Sequence, residues 1–279
     1  MFFSDRIKPS FLIIGGIKCG TSSLYRYLND HPQVLPCQTK EPQFFSNRNP
    51  LRILTGLNTY AGLFPKKEFY GNIETDWLDL GNDGKMKASK IHKQKNKGEQ
   101  YITGEASANS FFAANPRIVK TILPKAKLIM LVRNPTDRFY SHYKMFQRFA
   151  KEGRSGYEVI ELNDFVNKEI DAYHQGKSTL ILHKGIYSHY LPKWQKSFGK
   201  ENLITIPTPD LESKGQSTMN KLCQFLSIKE YDFGESLKKR HNQAKGTSSL
   251  IPSKIREKLD TFYSPSLMKL KDKFGIDLE

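Results

Sequence analysis

Nine residues near the start of the chain, Gly15-Gly16-Ile17-Lys18-Cys19-Gly20-Thr21-Ser22-Ser23, have the types and spacing to hold an anion. Glycines let a turn expose backbone N–H groups, and a helix opening directly after such a turn adds partial positive charge. The Lys18 ammonium and the hydroxyls of Thr21, Ser22 and Ser23 add further donors. The order comes close to the triphosphate loop G-x-x-x-x-G-K-[ST], but Thr21 stands where that pattern has its lysine, and the lysine lies inside the loop as Lys18. A lysine so placed reaches a different part of a ligand than one on the first turn of the helix. The apolar run Lys127 to Val132 then ends in Arg133, not in an aspartate suited to support Mg²⁺, and an arginine there can hold a second phosphate directly.

These residues need elements to position them. Phe11 to Ile14 is a continuous apolar run ending at Gly15-Gly16, which predicts a buried parallel strand feeding a tight turn. Thr21 to Leu28 predicts the helix that follows, stopped by Asn29-Asp30-His31-Pro32. Asn115-Pro116 predicts the cap and first turn of a helix through Leu123, and Lys127 to Val132 a second buried strand. Asn134, Pro135 and Asp137 open another helix that runs to about Phe149. Helices are also expected over Asp164 to Tyr173, Tyr187 to Phe198 and Met219 to Leu226, and a strand over Leu203 to Ile206. The tail from Ser253 reads as helical and broken near Pro265. Lysine-rich residues 82–100 read as an exposed, solvated loop. The alternation predicts an α/β fold, P-loop-type and three-layered, with a central mostly parallel sheet flanked by helices, in a single domain over residues 1–279.

Composition sets the outer bounds. Of 279 residues 38% are hydrophobic, enough for a substantial core. Lysine and arginine number 44 against 28 acidic residues, a net charge of +16 that favours anionic partners. Cys19, Cys37 and Cys223 are far apart and odd in number, and neither they nor the seven histidines cluster at metal-ligand spacing, so a reducing compartment and no metal are expected. The apolar run near the start is too short to span a membrane and lacks a cleavage site, which predicts a soluble, cytoplasmic protein without a transmembrane segment. Two other readings remain at this point. A P-loop kinase or nucleotide hydrolase would turn over ATP with Mg²⁺, and a nucleic-acid-binding protein would use the +16 charge with steep salt dependence.

With Lys18-Cys19-Gly20-Thr21-Ser22 and Leu131-Val132-Arg133-Asn134-Pro135 through Arg138 to Ser141 both in view, the chain resembles the sulfotransferases that use 3'-phosphoadenosine 5'-phosphosulfate (PAPS). The resemblance implies that Gly16, Lys18, Cys19, Gly20, Thr21, Ser22 and Ser23 bind the 5'-phosphosulfate, that Arg133 and Ser141 bind the 3'-phosphate, and that adenosine 3',5'-bisphosphate (PAP) is the product. Lys40-Glu41-Pro42-Gln43-Phe44-Phe45 looks like the K-E-x-x-F-F stretch of the carbohydrate branch, which includes the heparan sulfate N- and 3-O-sulfotransferases. There the glutamate is the proposed base, which implies the role of general base for Glu41 and of leaving-group stabiliser for Lys18. Lys245, Gly246 and Thr247 are similar to a late basic loop that closes over the donor. Gly104-Glu105-Ala106-Ser107 resembles the E-K-[ST] segment but carries Ala106 where lysine is usual, and Gly185-Ile186-Tyr187 echoes a G-x-Y stretch, with a buried core role expected for the tyrosine. The implied acceptor is a glycan or another hydroxyl or amine compound, with no nucleic-acid partner.

Overall fold

The computed structural model describes residues 3–47, 49–80, 86–238 and 251–278. Among them are seven strands: β1 (Phe11–Gly15), β2 (Val34–Leu35), β3 (Gly71–Leu80), β4 (Met86–Lys95), β5 (Ile102–Glu105), β6 (Lys127–Val132) and β7 (Leu203–Pro207). Five of them form a parallel sheet in the order β2-β5-β1-β6-β7, and β3 and β4 form a separate antiparallel pair. β1 is central because all five of its residues are buried, which a strand covered on both faces requires. Phe11 sits opposite Gly104 of β5 on one side and Lys127 of β6 on the other. Gly104 permits that spacing: a Cβ there would fall 2.4 Å from the Phe11 carbonyl oxygen.

By their internal contacts the described residues fall into two compact units. The first comprises the described parts of Met1–Gly16, Gly20–Val132 and Trp194–Thr247, and holds both sheets. In it the helix Thr21–Asp30 buries Leu24 and Leu28 completely. The second comprises Ile17–Cys19, Arg133–Lys193 and the described part of Ser248–Glu279. Its core gathers Phe139 and Phe146 of the helix Pro135–Lys151, Phe165 and Val166 of the helix Leu162–His174, and Leu259 and Tyr263 of the helix Ser253–Phe274. No helix among the described residues is long and apolar enough to cross a membrane.

The parallel sheet and its Asn-Pro helix starts agree with the pattern in the sequence. Asn115 accepts from the Arg117 N–H at 3.0 Å, and Asn134 accepts from the Thr136 and Asp137 N–H groups at 3.0 and 3.2 Å, so both helices open where proline fixes the first turn.

Two expectations are corrected. Much of the lysine-rich stretch 82–100 is strand β4, not loop. Register explains why: β4 pairs with β3 along its whole length and sets Glu74 opposite His92, so a run that looks like a solvated tract finds a partner strand. The Lys90 ammonium donates to Glu74 at 2.8 Å, and Ile91 is buried opposite Thr75. The terminal helix is not broken at Pro265 but runs unbroken from Ser253 to Phe274. Leu259, Tyr263, Ser266 and Leu270 are buried at helical spacing, and Ser266 shares a 2.9 Å hydrogen bond with Ser188, so packing outweighs the one backbone bond proline removes.

Candidate active site

In the first unit the loop leaves the sheet anchored. The Gly16 N–H donates to the Leu131 carbonyl at 2.7 Å, which ties the end of β1 to β6. Gly20 precedes the helix Thr21–Asp30 with φ at 91°, a left-handed conformation open to glycine and strained for any residue with a Cβ, and the Gly20 cap position makes no side-chain capping bond. Thr21 is buried, and Ser22 and Ser23 are half-buried. Lys40 then brings two of the expected site residues together: its ammonium donates to the Ser22 hydroxyl at 2.6 Å and pairs with the Glu41 carboxylate. The other Glu41 oxygen accepts from the Gln43 side-chain amide at 2.9 Å. Glu41 thus has both oxygens oriented while its side chain remains 34% exposed, as a group that must meet an acceptor needs to be.

The segment carrying Glu41 is pinned to the residues after β5. Ala106 N–H donates to the Lys40 carbonyl at 3.0 Å, and the Gln43 N–H donates to the Ser107 hydroxyl at 3.0 Å. Beside these bonds lies Glu105, 2% exposed. Burial pushes its carboxyl up to about 8, against smaller opposing effects of hydrogen bonds from Ser107 and the charge of Lys40.

In the second unit Lys18 adopts φ of 67°, unusual for a residue with a side chain, and Cys19 is fully buried. The Cys19 sulfur lies 3.5 Å from the Tyr187 hydroxyl, which donates to the Arg133 carbonyl at 3.1 Å. One phenol therefore joins the loop to the end of the second strand. Burial raises the Cys19 thiol despite that contact and the nearby Arg138 and Arg133 charges, so the thiol stays protonated.

Ser141 is half-buried one turn beyond Arg138 on the helix Pro135–Lys151. Arg138 is wholly buried, donating to the Ile181 carbonyl at 2.6 Å and to His142 Nδ1 at 3.3 Å. Buried Glu169 accepts from three successive N–H groups, those of Leu180, Ile181 and Leu182, at 2.7 to 2.8 Å, and so fixes the turn that carries Lys184. Burial first, then the charges of Arg138, Lys184 and Lys18, hold His142 well below its usual range. Burial and Arg138 likewise lower Lys184, and burial and Arg133 lower Lys144. Burial and like charges together therefore lower His142, Lys144 and Lys184.

Of the expected loop residues Ser22 meets Glu41 on Lys40 in the first unit, and the loop's Cys19 and Arg133 meet on Tyr187 in the second. Lys245, Gly246 and Thr247 lie outside the described residues. Sequence reasoning passed over Lys40 as a bridge, Glu105 as a buried acid and Lys184 as a cation. It also placed Tyr187 in the core without its polar tie. Each depends on a partner distant in the chain; the one signal available for Lys40 and Glu105 was that each sits inside a motif.

Comparison with known proteins agrees with this geometry. The family model described as "Sulfotransferase domain" matches residues 8–267. Carbohydrate sulfotransferase 15 of Mus musculus is 29% identical over 265 residues, covering 81% of this chain and 45% of that protein. Bifunctional heparan sulfate N-deacetylase/N-sulfotransferase 3 of Homo sapiens is 30% identical over 244 residues, covering 84% and 24%. The chain thus spans less than half the length of these curated relatives. Among solved structures, a sulfotransferase from Alicyclobacillus acidocaldarius superposes with a TM-score of 0.64 at 24% identity, covering 97% of both chains. Mouse sulfotransferase SULT7A1 complexed with PAP superposes with a TM-score of 0.53 at 13% identity, covering 95% of this chain and 87% of that one, a likeness of fold. With a family match over nearly its whole length and a P-loop-type parallel sheet to carry the motifs, this chain belongs to the sulfotransferase domain family.

Proposed function

We propose that the protein transfers a sulfuryl group from PAPS to a hydroxyl or amine of a carbohydrate acceptor. The observation that carries this reading is the meeting of Ser22, from the anion loop, and Glu41, the candidate base, on the single ammonium of Lys40. The residues fit the donor: the backbone of Gly16, Cys19 and Gly20, the hydroxyls of Thr21, Ser22 and Ser23, and the Lys18 ammonium suit a phosphosulfate, while Arg133 and Ser141 suit the 3'-phosphate. The depressed His142, Lys144 and Lys184 support an anion in the second unit.

Lys18 neutralises the charge that grows on the bridging oxygen as the sulfur–oxygen bond breaks and PAP leaves. Glu41 takes the proton from the attacking hydroxyl or amine, so that the acceptor reaches sulfur in line with the departing oxygen. Lys40 and Gln43 keep the Glu41 carboxylate in one orientation. Lys245, Gly246 and Thr247 belong to the proposed donor site on their motif alone.

A carbohydrate acceptor is supported by the K-E-x-x-F-F segment and by the names of the relatives, and a basic surface suits an acidic glycan. The same proposal treats the chain as one sulfotransferase domain working in a reducing, cytoplasmic setting, for which three free buried cysteines are the support. The test is incubation with labelled PAPS and a panel of glycans, lipids and small acceptors. Label on a glycan upholds the reading, label on a lipid or small molecule alone redirects the acceptor, and turnover of ATP with Mg²⁺ in place of PAPS rejects the donor.

A further inference from the structure

Within the first unit, one buried acid has no part in the reaction as derived above. Glu105 ends β5 with 2% of its surface exposed, and its Oε2 finds no hydrogen-bond partner among the described residues. The residues immediately after it hold the Glu41 segment at two points: Ala106 through the Lys40 carbonyl and Ser107 through the Gln43 N–H. Ser107 also donates to Glu105, so one hydroxyl stands in both the buried acid's environment and the base's loop. We propose that Glu105 is a positioning residue for Glu41: a buried carboxyl whose next two residues hold the Lys40–Gln43 segment, so that its state is passed to the hold on Glu41. This rests on Glu41 being the base of the proposed reaction.

Around Glu105 only Ser107, by hydrogen bonding, and Lys40, by its charge, favour the ionised form. Tyr25 from the helix Thr21–Asp30, Tyr60 from the helix Leu57–Gly62 and Cys37 from the segment after β2 are all buried, and burial raises each of their pKa values, Cys37 to about 12, so each stays neutral and offers Glu105 no counter-charge. Glu41 adds a like charge, and Lys40 alone offers an opposite one, already engaged by Glu41 and Ser22. Burial, the largest effect, then keeps the proton on Glu105 up to about pH 8. Above that, two carboxylates face one ammonium. Lys40 is drawn between them, and its bridge from Glu41 to Ser22 weakens. The consequence for turnover is an alkaline arm that belongs to Glu105 and not to the acceptor.

Two readouts test this on the full chain. With ¹³C-carboxyl-labelled glutamate, the Glu41 signal is assigned as the one lost in Glu41→Gln, then followed from pH 6 to 9 in the wild type, in Glu105→Gln and in Ser107→Ala. The wild-type Glu41 signal should show an inflection near pH 8 that is absent in Glu105→Gln. In Ser107→Ala, which removes a donor favouring the charged form, the inflection should move to higher pH. The second readout is kcat/KM for sulfuryl transfer: its decline above about pH 8 should disappear in Glu105→Gln. A Glu41 signal that titrates identically with and without Glu105 overturns the proposal, and so does a coupled signal with an unaltered rate profile. If no acceptor is sulfated at all, the sulfotransferase reading fails by itself. The carboxyl signals still decide whether Glu105 governs Glu41.

Discussion

Around the candidate site residues the two units hold different ionisable groups away from water. The second buries or half-buries cations, Arg138, Arg133, Lys184 and Lys144, and depresses a histidine and two lysines among them. The first buries an acid, Glu105, and raises it to about 8 while leaving Glu41 partly exposed against Lys40. An arginine cannot shed its proton, so Arg138 and Arg133 keep their charge in the second unit however much water they lose. A carboxyl can take one up, so the first unit resolves the same problem by becoming neutral. Within one chain, then, desolvation lowers the pKa values of cationic groups in one place and raises that of an acid in another.

The comparison breaks most readily at its two central residues. Lys18→Ala should fold and lose turnover by about 10² to 10³ or more, as measured by transfer from labelled PAPS, because one stabiliser of developing charge is gone. Near-normal transfer in that variant would remove Lys18 from the reaction. Glu41→Gln should abolish transfer comparably while PAP still binds, and parallel loss of PAP affinity would move Glu41 from base to binding residue.

Smaller in effect, Arg133→Ala should weaken PAP binding about 10- to 100-fold in calorimetry, the worth of a charge-assisted bond, with little change for a nucleotide lacking the 3'-phosphate. Equal losses for both nucleotides would deny Arg133 that phosphate.

The finest contrast lies in pH. His142 is held neutral when folded, whereas the unfolded chain takes up its proton below about pH 6.5, so stability falls as pH drops through that point, by at most about 1.4 kcal/mol per unit for one proton. Glu105 runs the other way. Its folded form keeps a proton that the unfolded chain releases above about pH 4.3, so its share of stability falls as pH rises from there to about 8. Thermal melts should show His142→Gln flattening the loss of stability below about pH 6.5 and Glu105→Gln removing the fall between about pH 4.3 and 8. Matching changes from both variants would erase the distinction between the units.

Much of the sheet could be read directly. β1, β6 and β7 are apolar runs of ordinary length, and Asn115-Pro116 and Asn134-Pro135 start helices by local chemistry alone. β2 has two residues and β5 four, too few for periodicity to register. β4 escaped because its lysines make sense only beside β3, a partnership fixed by register. Pro265 misled because its local cost is visible in sequence while the packing of Tyr263 and Leu270 is not. At the site, Lys18, Glu41, Arg133 and Ser141 were marked by motif, whereas the tie from Cys19 to Tyr187 spans 168 positions and the one from Arg138 to Ile181 spans 43.

The phenol of Tyr187 has one more consequence. Because Cys19 is sealed beneath it and keeps its thiol proton, a thiol-alkylating reagent can reach that sulfur only when the loop lifts away from Tyr187. The rate at which Cys19 is alkylated, followed by peptide mapping, is therefore a clock for loop opening that needs no introduced label. A bound donor that tightens the loop should slow it.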